Sequence, residues 1–101
     1  MVHVIASILV KPGYLQEYVS LFKQNVPKVL AEQGCVQYTP CVDADAGWPV
    51  QSLDPRRLTV VERWESMDAL QAHSRAPHMV DFRKTVGHLV ESVNLRVVKE
   101  A

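Results

Sequence analysis

The sequence predicts an α+β fold of the ferredoxin-like type, with a four-stranded antiparallel sheet and helices on one of its faces. Two observations predict it. The elements follow the order β-α-β-β-α-β, and apolar residues change between strand and helix periodicity along the chain. A chain of 101 residues has enough material for one core, so residues 1–101 are expected to form a single domain.

The first strand and the first helix are well marked. Residues 2–10 are almost continuously apolar, which is typical of a strand covered on both faces. In residues 15–30 the apolar side chains recur at three and four positions, as on one face of a helix. Pro27 removes a helix hydrogen bond, so we expect a kink or a restart there. Gly34 is expected to end the helix at the C′ position.

The middle of the chain contains two strands and a long loop. Residues 35–43 read as a strand, which Pro40 places at an edge or a bulge of the sheet. Residues 44–56 are rich in Gly and Pro and predict a loop that serves function or an interface. Residues 57–65 alternate like a third strand, and Ser66 is a plausible helix N-cap.

The last helical region is expected in two parts. A short helix runs to about Ala76, and Pro77 opens a second segment with helical spacing. Residues 92–99 predict the fourth strand. Strands one and four carry apolar residues on both faces, so the open face of the sheet needs a cover. A second copy of the chain is the simplest cover, which predicts a homodimer through that face.

Composition excludes several classes of partner. Eleven basic residues balance eleven acidic ones, which argues against a nucleic acid or an anionic membrane. No apolar stretch approaches the ~20 residues that span a bilayer, and the N-terminus lacks a basic leader, so we expect a cytoplasmic protein. The two cysteines, Cys35 and Cys41, are expected to be small buried residues without a disulfide.

Candidate chemistry concentrates in residues 62–79, where a carboxylate, a tryptophan and two histidines surround one strand–helix junction. Glu62 and Trp64 share a strand face; if helices cover it, burial raises the pKa of Glu62, and otherwise Glu62 is an exposed ion-pair partner. His73 and His78 lie on either side of Pro77 and could flank one cavity as proton-transfer groups. Taken singly, each is also an ordinary surface histidine.

Two further candidates lie on strands. The phenol of Tyr38 could donate to a substrate oxygen, although a core or interface role is equally natural for a tyrosine. Ser7, on the first strand, could point its hydroxyl into the same cavity. The sequence contains no nucleotide-binding glycine motif, which argues against a bound dinucleotide.

The segments VPKVLAEQGCVQYTPCVDADAG and VVERWESMDALQAHSRAPHM resemble the antibiotic biosynthesis monooxygenase family, especially its small quinol monooxygenases. The resemblance implies a dimeric α+β barrel that oxidises a hydroquinone or related polycyclic phenol with O₂, without metal, flavin or other prosthetic group. It implies His73 as the base, with Glu62 or His78 as orienter or proton relay. The apolar walls would then be Trp64, Tyr38, Met79 and Phe82.

Other readings stay open within the same fold. Haem-degrading relatives carry an Asn on the first strand, which is absent here. Enzymes that process phosphorylated autoinducer-2 share the His-x-x-x-Pro-His pattern from His73 to His78, but no phosphate site is evident. A non-enzymatic dimeric-barrel module that binds a hydrophobic metabolite is the alternative from another class.

Overall fold

The strands and helices of the computed structural model, which describes residues 1–101, follow the predicted order. The elements are β1 (Val2–Val10), α1 (Leu15–Leu30), β2 (Cys35–Val42), β3 (Arg57–Trp64), α2 (Met67–Arg75), α3 (Pro77–Val86), a 3₁₀ turn (Gly87–Leu89) and β4 (Val90–Val98). The last helical region is divided at Pro77 as predicted, and Ser66 caps α2 by accepting the Ala69 N–H at 3.1 Å. β4 begins at Val90 rather than at residue 92.

All four strands pair antiparallel in the spatial order β2-β3-β1-β4. This is the ferredoxin-like sheet that the sequence predicts. Pro40 lies on β2, which is an edge strand of the sheet. No strand pairs with the outer edge of β2, and a proline is tolerated at such an edge because no ladder hydrogen bond is needed there. The irregularity of β2 lies elsewhere, since the register with β3 shifts between Cys35 and Gln37.

The helices cover one face of the sheet and enclose the core there. Because side chains alternate along a strand, every second residue of β1 and β3 points toward the helices. These residues are buried: Val4, Ala6, Ile8 and Val10 on β1, and Leu58, Val60, Glu62 and Trp64 on β3. The helix α1 contributes Tyr18, Phe22 and Val29 from its apolar face.

Two expectations about the end of α1 are wrong. The helix continues through Pro27 to Leu30 without a restart, because Pro27 lies in the last turn and removes one hydrogen bond only. Gly34 lies beyond the helix end rather than at C′. Its φ of +84° forms a turn that brings its backbone against α2, where an added Cβ would lie 2.6 Å from the Ala69 Cβ.

The cysteines also differ from expectation. Cys35 and Cys41 are free thiols, as predicted, but both are only half-buried. Cys41 occupies a β2 position that alternates with Tyr38, so it lies on the face of the sheet opposite the helices. Cys35 is paired with Trp64 after the register shift and packs against the core on the helix side.

The strand β4 is the most exposed element of the sheet. It pairs with β1 on one side, and no helix covers it. On its helix-side face the exposed fractions are 57% for Val93, 61% for Leu95 and 46% for Val97. This apolar strip needs a cover in water. No helix of the chain is long and apolar enough to cross a membrane.

Candidate active site

A cavity of about 530 Å³ lies between the helices and the sheet, on the side toward β4. Most of its lining is apolar, and the polar groups are few. That combination is typical of a site for a small organic molecule. Five of the predicted site residues line or adjoin it from β2, β3, α2 and α3: Tyr38, Glu62, His73, Met79 and Phe82.

Glu62 is buried in this lining, with 5% of its surface exposed. The strand alternation of β3 places it on the helix-covered face beside Trp64, whose Nε1–H donates to Glu62 Oε1 at 3.0 Å. Burial raises the pKa of Glu62 to about 7; the Trp64 hydrogen bond opposes the rise, and the Glu32 charge adds to it. The alternative of an exposed, ion-paired Glu62 is therefore wrong.

His73 is positioned by the last turn of α2 and enclosed by aromatic rings. Its ring centroid lies 4.6 Å from that of Trp64 and 5.4 Å from that of Tyr38. Trp64 itself is fully buried behind the imidazole and does not line the cavity. Trp64 therefore packs against His73 and does not form a wall of the cavity, which differs from the role that the resemblance implies.

A carboxylate that the sequence analysis missed holds both histidines. Glu32, in the turn after α1, accepts from His73 Nδ1 at 2.9 Å and from His78 Nε2 at 2.8 Å, both on the same oxygen Oε2. Pro77 makes this possible, because it breaks the helix and starts α3 in a new direction, so that His78 turns toward the same carboxylate. No local signal marks Glu32, which lies 41 residues before His73.

The protonation of His73 follows from these contacts. Burial lowers the pKa of His73 below its usual value, against the opposing influence of Glu32, so the ring is neutral near pH 7. The carboxylate fixes the proton on Nδ1, because a carboxylate accepts only. Nε2 then carries the lone pair. It forms no hydrogen bond within the chain, while every fully buried polar side-chain atom has a partner, so Nε2 reaches open space.

Two phenols face the cavity as donors. The hydroxyls of Tyr38 and Tyr18 bond to no group of the chain, and both residues line the cavity. Burial raises the pKa of Tyr18 to about 12 and that of Tyr38 still further, so both stay protonated. Tyr18 was not among the predicted site residues. Phe22 stacks on Tyr38 with ring centroids 5.3 Å apart, which fixes this wall.

The remaining predicted residues divide between the site and its surroundings. Met79 is buried in the lining, where the Asn25 amide donates to its sulfur at 3.4 Å. His78 is half-buried and lies in a separate cavity between α1 and α3. Ser7 lies on the opposite face of the sheet, because odd positions of β1 alternate with the buried even ones. The expectation that its hydroxyl enters the cavity is therefore wrong.

No group of three or more His, Cys, Asp or Glu side chains is arranged to hold a metal ion. In the cluster of Glu32, His73 and His78, the two histidines hydrogen-bond to the carboxylate. That the chain works without a cofactor stays a prediction.

Comparison with known proteins identifies the family and the fold. The family model "Antibiotic biosynthesis monooxygenase" matches residues 1–85. The Escherichia coli K12 protein named "Probable quinol monooxygenase YgiN" is 39% identical over 101 residues, covering 98% of this chain and 97% of its own. The structure of Rv0793 from Mycobacterium tuberculosis has a TM-score of 0.80 at 28% identity, over 99% of this chain and 94% of that one. PA3566 from Pseudomonas aeruginosa, at 23% identity and a TM-score of 0.82 over 99% and 93% of the two chains, shares the fold.

Proposed function

Because the chain is a monooxygenase of the antibiotic biosynthesis monooxygenase family, we propose that it oxidises a hydroquinone or related polycyclic phenol with O₂ and without a prosthetic group. One observation carries the proposal. A neutral histidine with an unshared ring nitrogen lines an apolar cavity of about 530 Å³, enough for a flat fused-ring molecule.

The first step is removal of a phenolic proton. Nε2 of His73 accepts it, and the Glu32 carboxylate stabilises the imidazolium through Nδ1–H. The hydroxyls of Tyr38 and Tyr18 can donate to the oxygens of the bound anion. Such an anion is electron-rich enough to reduce O₂ directly, so the protein needs only to deprotonate it, hold it and exclude water.

The oxidation balances without a further reductant. The hydroquinone supplies four electrons: two in becoming a quinone and two as a ring C–H becomes C–OH. One oxygen atom of O₂ enters the ring and the other leaves as water. We propose that Glu62 donates a proton to the departing oxygen, since it lines the cavity and its pKa of about 7 keeps it partly protonated at neutral pH.

We also propose that the chain works as a homodimer, with a second copy on the open face of the sheet. Exposed apolar residues support this, namely Ile5 on β1 and Val98 on β4. The apolar strip of β4 lies on the other, helix-side face beside the cavity, so a copy on the open face leaves it uncovered. Light scattering should give about twice the 11.4 kDa of the chain at micromolar concentration; a mass of 11.4 kDa would contradict the dimer.

A phosphorylated substrate has less support from the cavity. Among the lining residues Arg83 is the single Lys or Arg, and its guanidinium already donates to the Ser74 carbonyl at 2.7 Å. A phosphate group would want several charge-assisted donors.

Oxygen uptake with chemically reduced menadiol tests the proposed activity. The protein is assayed in chelator against a no-protein control, His73→Ala and the matched variant His88→Asn, since His88 is exposed and outside the cavity. We expect uptake well above autoxidation for wild type and His88→Asn, and a loss of at least about 100-fold in His73→Ala. Uptake equal to autoxidation in the wild type would contradict menadiol oxidation and favour the binding module.

A further inference from the structure

The Glu32 carboxylate connects the cavity histidine to a histidine that faces solvent. Both ring nitrogens, Nδ1 of His73 and Nε2 of His78, lie within 2.9 Å of one oxygen. The side chains become more exposed along this series, from 8% for His73 through 13% for Glu32 to 23% for His78. The three groups therefore lead from the buried cavity to the surface.

His78 and His73 line two different cavities. It lines a cavity of about 390 Å³ between α1 and α3, together with Lys28 and Asp81. These two opposite charges and the Glu32 carboxylate are the charged groups that face it. His78 Nδ1 forms no hydrogen bond within the chain, so it can exchange a proton with water there.

One carboxylate balances one imidazolium. If both rings were protonated, two positive charges would share one negative charge at a partly buried place, and each would oppose the other. Among the charged groups around His73, Glu32 favours protonation of the His73 ring, whereas the charges of His78 and Arg83 oppose it. The phenol of Tyr38 stays neutral. The single negative charge of Glu32 therefore favours one positive charge in the cluster at a time, so protonation of either ring opposes protonation of the other.

We propose that Glu32 couples the two histidines in a proton exchange, in which a proton taken up by His73 in the cavity is matched by one that His78 releases to solvent. This inference rests on the proposed function, which supplies the phenolic proton. One proton enters at His73 Nε2 and one leaves at His78 Nδ1, and no electron moves. Glu32 stays ionised and keeps both hydrogen bonds, so it is a positioning residue.

The exchange favours formation of the substrate anion. Once His78 is neutral, the His73 imidazolium faces two anions, the phenolate and Glu32, with no competing positive charge on the same carboxylate. The exchange runs backward when His73 returns its proton. The net charge of the cluster thereby stays constant while His73 holds the substrate's proton.

Ring titration by nuclear magnetic resonance tests the coupling without any turnover. We expect His78→Asn to raise the titration midpoint of His73, because the substitution removes a charge that opposes protonation of His73. The proton affinity of His73 should rise by about tenfold, the size at which titrations become coupled. The matched variant His88→Asn should leave this midpoint unchanged. His78→Gln serves as a second variant if His78→Asn does not fold, and an unchanged His73 midpoint in a folded variant would overturn the exchange.

Steady-state kinetics test whether the reaction uses this proton exchange. Since His73 must be neutral to act, the acid limb of kcat/KM for menadiol oxidation should move to higher pH in His78→Asn, in step with the His73 midpoint. A lower rate with an unmoved limb would show a merely structural role and overturn the proposal. Wild-type protein without turnover would refute the proposed function instead, and the ring titration would still decide on the exchange.

Discussion

Replacing Glu62 by glutamine should stabilise the protein at alkaline pH and not at acid pH. Glutamine keeps the shape of the side chain and an oxygen that can accept from Trp64 Nε1, but it carries no charge. In the wild type the buried carboxylate must lose a proton as the pH rises, and its burial opposes the charge. Glu62→Gln avoids the free-energy cost of this buried charge, because glutamine does not ionise.

The magnitude follows from the pKa of Glu62, which burial raises from 4.5 to about 7. Between these values the folded state binds more protons than the unfolded state, so the free energy of unfolding falls as the pH rises through this range. This loss of unfolding free energy is complete above about pH 7. At about 1.4 kcal/mol for each tenfold change in acidity, it amounts to about 3 kcal/mol.

Urea denaturation at about pH 4.5 and about pH 8, at equal chain concentration, measures this difference. The stability of Glu62→Gln relative to wild type should be about 3 kcal/mol more favourable at the higher pH. The control Glu100→Gln, at an exposed position after β4, should show the same relative stability at both pH values. An equal effect of Glu62→Gln at the two pH values would refute the assignment of Glu62 as a buried carboxyl with a raised pKa.

Three further predictions concern the fold and the cofactor. Gly34→Ala should lower the free energy of unfolding by about 1–3 kcal/mol more than Gly13→Ala, since both have positive φ but an added Cβ meets Ala69 only at Gly34; equal losses in thermal denaturation would show that no clash occurs. Ser66→Ala should cost about 1 kcal/mol by removing the α2 cap, and an unchanged melting temperature would contradict the cap. Chelator should leave menadiol oxidation intact, whereas a loss that a single metal ion restores would refute cofactor independence.

The fold could be predicted because its signals are local. Strand alternation in β3 and helix periodicity in α1 each depend on neighbouring residues, and Pro77 marks the break between α2 and α3. The error at Pro27 has a local cause, since this residue lies in the last turn of α1. The error at Gly34 arose where a tertiary contact decides. Gly34 is required by the approach of α2, which has no trace in the sequence around it.

The site was predictable in part for the same reason. The alternation of β3 places Glu62 on the face of Trp64, so its burial follows once the helices are assigned to that face. Glu32 could not be found in this way, because its role depends on two histidines more than forty residues away. The error at Ser7 was avoidable, because side chains alternate along a strand. An odd position of β1 lies on the face opposite the buried even positions, so Ser7 cannot point into the cavity.

The most direct test of the central claim is a turnover under ¹⁸O₂ with dialysed protein, reduced menadiol and chelator. The account predicts a ring-hydroxylated quinone that carries one ¹⁸O atom, formed by the wild type and not by His73→Ala, with the second ¹⁸O in water. A product without ¹⁸O, or the same product at the same rate in the absence of protein, would contradict it.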